Sequence, residues 1–106
     1  MSNEKNNGLQ YFVIIAEQKK KDKLLSLLGE HEAYFVETVY AHGSVAKKSA
    51  FASAFGFEIE QHKVLITCLL KNDNAKEVLK LLYNDYNFNK PNTGIAYSIS
   101  VEGLAI

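Results

Sequence analysis

The residues of this chain that could meet a ligand are lysines and one short turn. Residues 87–94 read "NFNKPNTG", carry the only proline, and feed an apolar stretch over 95–101. Two chemistries suit such a turn. It is a connector between a helix and a strand, or it is a cradle whose backbone N–H groups hold a phosphate, with Gly94 admitting the ligand where a Cβ would block it. All twelve basic residues are lysine. No guanidinium fork is therefore available to clamp a carboxylate or phosphate in two places. An anion held here is held by lysine charge, backbone N–H groups or helix ends. Lys63, at the mouth of an apolar run, is either a partner for such an anion or a solvated strand-end lysine.

Other reactive side chains do not assemble into a catalytic pattern. His31, His42 and His62 are scattered, with no H-x-x-x-H and no paired cysteines, so no metal site is expected. Cys68 is the single cysteine and lies in the apolar run 64–70, as a core thiol that cannot form an intrachain disulfide. Glu58 and Glu60 alternate as on a solvated strand face. With no nucleophile beside a base, the chain does not read as an enzyme, and no catalytic residue or cofactor is assigned.

The elements that would position these groups follow from periodicity. Residues 9–15 form an apolar run of strand length, "LQYFVII". After a charged turn, Leu24, Leu25, Leu27 and Leu28 recur at helical spacing up to Gly29, a natural stop. "AYFVETVY" over 33–40 is a second strand, and 57–70 holds a third that turns apolar at Val64. Asn74 with Glu77 has the spacing of a capping box, opening a helix whose apolar face is Val78, Leu79, Leu81, Leu82 and Tyr86. Residues 95–101 close the series as a fourth strand. The order β-α-β-β-α-β predicts an α+β ferredoxin-like sandwich, a four-stranded antiparallel sheet with two helices on one face.

At 106 residues the chain is one domain, spanning 9–106 behind a disordered polar lead, 1–8. Its formal net charge is zero, which argues against wrapping nucleic acid. No stretch is long enough to span a bilayer, the start lacks the apolar centre of a signal peptide, and a lone thiol suits a reducing compartment, so the expected location is cytoplasmic. The link between strands two and three is long for a hairpin: residues 44–57, "SVAKKSAFASAFGF", contain Lys47 and Lys48, no acid, and Phe51, Phe55 and Phe57. Either these rings fold back on the core, or the segment is an arm that offers Lys47, Lys48, Phe51 and Phe55 to a partner.

Length, element order, long arm and terminal glycine turn together resemble the PII nitrogen-regulatory signalling family. "VETVYAHG" is similar to the family's strand two entering its T-loop, "HKVLITCLL" to strand three with its initial lysine at Lys63, and "GIAYSISVEGLAI" to the closing strand and tail. The resemblance covers residues 9–106. It implies a homotrimer that holds an adenine nucleotide between subunits and uses the T-loop, here 44–57, to control a protein target such as a membrane transporter. By the same resemblance Gly43, Lys63, Lys90, Asn92, Thr93 and Gly94 would line the nucleotide site, with 87–94 as the B-loop.

The departures shape the ligand expected. Ile95 stands where the family has a lysine after the last B-loop glycine, no C-terminal arginine is present, and Val45 replaces the glutamine that helps hold magnesium and 2-oxoglutarate. No tyrosine lies between Gly43 and Lys63 for uridylylation. AMP, ADP or a cyclic nucleotide therefore fits better than ATP with magnesium. Two alternatives stand beside this: a ligand-free trimeric interaction module, and a small ferredoxin-like protein binding a metal or amino acid.

Overall fold

The computed structural model describes residues 8–41, 62–91 and 93–105. Four strands and two helices follow in the order β1 (Leu9–Glu17), α1 (Lys21–Glu30), β2 (Tyr34–Ala41), β3 (Lys63–Lys71), α2 (Asn72–Asp85) and β4 (Gly94–Ser100), with a 3-10 turn at Gln18–Lys20 ahead of α1. The sheet runs β2-β3-β1-β4 with every neighbouring pair antiparallel. This is the ferredoxin-like architecture read from the sequence. The central strands pair without a break from Leu9 opposite Lys71 to Glu17 opposite Lys63.

Period-two alternation decides which face meets the helices. Phe12, Ile14 and Ala16 of β1 and Val64, Ile66, Cys68 and Leu70 of β3 share one face and are buried. Leu24, Leu27 and Leu28 of α1 and Ala75, Val78 and Leu82 of α2, at helical spacing, complete the same cluster. Both helices thus lie on one side of the sheet. The other face is apolar as well, carrying Tyr11, Val13 and Ile15 beside Leu65, Thr67 and Leu69 on β3 and Ile95, Tyr97 and Ile99 on β4.

Two helix boundaries differ from the sequence expectation. Helix α2 opens at Asn72, with Lys71 as an extended N-cap that makes no side-chain cap bond, so Asn74 lies inside the first turn rather than capping it. The reason is tertiary. The Asn72 amide donates to the Gly8 carbonyl at 2.7 Å, and Gln10 Nε2 donates to Asn72 Oδ1 at 2.8 Å, so the start of β1 pins the helix two residues early. Helix α1 runs past Gly29 to Glu30, and the left-handed residue that stops it is Glu32, φ 60°. There the Ala33 amide donates to Leu28 O and the Glu32 amide to Gly29 O, both at 3.1 Å, a Schellman closure with glutamate in the place glycine usually takes. The arm residues 44–57 and the start of the expected third strand, 57–61, lie outside the described residues.

Cys68 is 2% exposed, and burial pushes its thiol up to about 11. Because the folded state holds the proton more tightly than the unfolded chain, this group stabilises the fold at low pH and loses that contribution as pH rises from about 9 through 11. Native protein at pH 8 is expected to leave Cys68 unreacted with a thiol-specific reagent, and urea-unfolded protein to react at once. Fast native reaction would show that this part of the core opens readily.

Candidate functional site

The register gathers the sequence-named positions at one end of the sheet. Ala41 at the end of β2 pairs with Lys63 at the start of β3, Lys63 pairs with Glu17, and Gly94 at the start of β4 pairs with Ala16. The row crosses four strands, about 14 Å at the usual spacing. Lys63 and Gly94 therefore lie along one edge instead of converging on a point.

Gln18, which the sequence reading did not single out, fixes the middle of this row. Its main-chain amide donates to His62 O at 3.1 Å, and its side-chain Nε2 donates to Lys63 O at 3.1 Å. The turn after β1 is thereby bonded to the first two described residues of the returning strand. A glutamine beside a lysine run has no periodic signature, so nothing in the sequence marks this contact.

The turn ahead of β4 is built from its own side chains. Asn87, φ 64°, reverses the chain after α2, and Leu82 O accepts from the amides of Tyr86 at 3.3 Å and Phe88 at 3.0 Å. The Lys90 amide donates to Asn87 O at 3.0 Å, leaving the Lys90 side chain exposed. Thr93, half-buried, donates from its hydroxyl to Pro91 O at 3.4 Å. Gly94 is explained by its neighbour: the Phe88 ring covers the place of the missing Cβ, with Cε1 2.9 Å from where that atom would stand. A phosphate can therefore reach Gly94 only from the side the ring leaves open. Asn92, Gly43, Lys47, Lys48, Phe51 and Phe55 lie outside the described residues.

Beside the arm root, Lys21 at the start of α1 sits 6.0 Å from the centre of the Tyr40 ring. A hydrogen bond with Tyr40 and then Asp22, 3.3 Å away, raise the pKa of the Lys21 ammonium, which stays charged at neutral pH. A cavity of about 250 Å³ lies under the turn among Leu79, Leu82, Tyr83, Phe88, Ile95 and Ala96. A larger one, about 750 Å³, opens at the opposite end of the sheet, walled by Tyr34, Phe35, Leu69, Lys71, Asn72 and Leu104 among others. Its wall includes Phe35, whose φ of 52° is uncommon for an aromatic residue and accompanies the register shift between Tyr34 and Glu37. Its residues come from separate elements, which kept it out of sight in the sequence. No group of three or more histidine, cysteine or acidic side chains placed to hold a metal occurs among the described residues.

No family model matches the chain, and no curated protein matches it. Solved structures do. A PII-like signalling protein of Thermus thermophilus is 19% identical, with 85% of this chain and 83% of that one covered at a TM-score of 0.62. CPII of Thiomonas intermedia, bound to ADP, AMP and acetate, is 13% identical over 92% of this chain and 89% of its own, TM-score 0.69. A DUF3240 family protein of Shewanella baltica is 13% identical over 94% and 97%, TM-score 0.58. The chain has the fold of PII-like signalling proteins.

If the Phe88 ring is what requires glycine, Gly94→Ala should destabilise the fold by about 1–3 kcal/mol in urea titration, the usual range for overpacking. In a Phe88→Ala background the same change should cost well under half as much. Equal costs in both backgrounds would mean that the backbone, and not the ring, demands glycine.

Proposed function

We propose that this chain is a divergent PII-like regulator that binds an adenine nucleotide at the arm end of its sheet and carries no catalytic activity of its own. The observation that carries the reading is the row itself: the fold shared with CPII sets Lys63, the root of the 42–61 segment and the Thr93–Gly94 turn on one edge, beside lysine charge. CPII structures hold ADP with AMP and acetate or with bicarbonate. Without an arginine, the phosphates of a ligand here would rest on Lys63, Lys90 and backbone N–H groups. That favours AMP, ADP or a cyclic nucleotide over ATP with magnesium. Bound ligand would bias the 44–57 arm between two states, and the arm would in turn engage a target protein, for which a membrane transporter is our candidate. Gly43, Asn92, Lys47, Lys48, Phe51 and Phe55 keep the roles proposed for them from the sequence. The setting we propose is the cytoplasm.

The working unit we propose is a homotrimer. Its support is the sheet face turned away from the helices, where Tyr11, Val39, Tyr97 and Ile99 are between 41% and 55% exposed next to half-buried Ile15, Leu65, Leu69 and Ile95. An apolar patch so continuous is normally covered. A second copy presents the same surface and can cover it.

A second reading is favoured by the larger cavity. At about 750 Å³ it falls within the range of small-molecule pockets, and Tyr34 and Phe35 offer ring faces on which a base could stack. In that case the nucleotide base would occupy the far end of the sheet.

Calorimetric titration with ATP, ADP, AMP and cyclic AMP, with and without magnesium, tests the first reading. Micromolar binding of at least one nucleotide is expected, weakened about tenfold or more by Lys63→Ala, as for loss of a charge-assisted bond. Flat traces for all four would leave the interaction-module alternative. Light scattering should report three chains per particle, and Ile99→Glu should shift the protein toward monomer. A monomeric parent protein would remove the trimer from the account.

A further inference from the structure

The chain is neutral overall, yet its described charges are sorted between the two ends of the sheet. The end that holds Gly94 carries Lys19, Lys20, Lys21, Lys23, Lys63 and Lys90 against Glu17, Asp22 and Asp85, an excess of three positive charges. The opposite end carries Glu30, Glu32, Asp73, Glu77 and Glu102 against Lys71 and Lys76, an excess of three negative charges. Connectivity forces the separation. The lysine run lies on the turn from β1 into α1, Lys90 on the turn from α2 into β4, and both turns stand over the same strand ends.

Local pairing engages only part of this positive end. Lys19 meets Glu17 at 3.7 Å, with 79% of the lysine side chain and 25% of the glutamate exposed, and Lys21 meets Asp22 at 3.3 Å while also bonding Tyr40. Lys20, Lys23 and Lys90 make no ion pair among the described residues. The run also surrounds the first turn of α1, where the helix dipole disfavours cations, so the sequence places these lysines against local preference. Two half-exposed tyrosines, Tyr40 at 49% and Tyr83 at 58%, stand at the same end.

We propose that this lysine-rich end docks on an anionic phospholipid surface. Lysines without arginine, spread along a sheet end, suit a partner recognised by charge density and not by fixed geometry. A headgroup layer is such a partner, and amphipathic tyrosines favour the same boundary. An acidic protein or a nucleic acid would be expected to find bidentate arginines, and the chain has none. The inference shares Lys63 and Lys90 with the nucleotide reading, but its test alters neither and uses no nucleotide, so the two fail separately.

The test is co-sedimentation of the full chain at low ionic strength with vesicles of phosphatidylcholine alone or mixed with phosphatidylserine. Binding is expected only to the mixed vesicles, and it should fall as salt shortens the screening length. Each lysine near such a surface contributes about fivefold, so Lys20→Gln with Lys23→Gln should weaken partition by about 25-fold. Lys23 is exposed, Lys20 is half-buried, and neither belongs to the core, so the double variant is expected to keep its fold. Lys76→Gln, at the acidic end, should change nothing. No sedimentation with mixed vesicles, equal binding to both vesicle types, or an unaffected double variant would each overturn the proposal. Capture by polyglutamate without vesicle binding would also overturn it and assign the end to an acidic protein.

Discussion

The unbroken pairing of β1 with β3 is the constraint from which the rest follows. Nine residues on each strand meet in register, and their alternate side chains form the floor on which both helices pack. A slip of one residue would carry Phe12, Ile14, Val64 and Ile66 to the opposite face, so burial of that row fixes the register. The same register sets Lys63 opposite Glu17 and within reach of Gln18. Packing in the middle of the molecule thus determines what is presented at its end.

That end contains more construction than its loop-like sequence suggests. Asn87 turns the chain, Phe88 folds back over Gly94, and Gln18 bonds the facing turn to His62 and Lys63. The turn 87–94 is therefore an internally packed connector whose exposed side carries Lys90. A phosphate site and a packed turn are compatible only if the ligand approaches away from the ring, which makes the direction of approach the specific content of the proposed site.

Strands, helices and their order were legible because each rests on a periodicity that burial enforces. The alternation in β3 and the leucine spacing in α1 are visible in the sequence and recur as buried side chains. Boundaries were less legible where a distant contact overrides a local signal. Asn74 and Glu77 have capping-box spacing, but the Gly8 carbonyl and Gln10 set the helix start at Asn72. The left-handed residue that ends α1 is Glu32 and not Gly29, the stop that the sequence offers, and Asn87 is the left-handed residue after α2. At the site, Lys63 and Thr93–Gly94 were legible as an end-of-strand lysine and a glycine turn, whereas Gln18, the Phe88 ring and the aromatic cavity were not, since each depends on residues far apart in the chain. Charge was the least legible of all: a net of zero concealed, among the described residues, two ends of opposite sign.

The central claim is that a nucleotide binds along the row formed by Lys63 and the Thr93–Gly94 turn. Amide hydrogen–deuterium exchange with and without saturating ADP addresses it most directly. The account predicts slowed exchange centred on the amides of Lys63, Thr93 and Gly94. Slowing confined to Tyr34 and Phe35 at the opposite end, or no change at any amide, would contradict it.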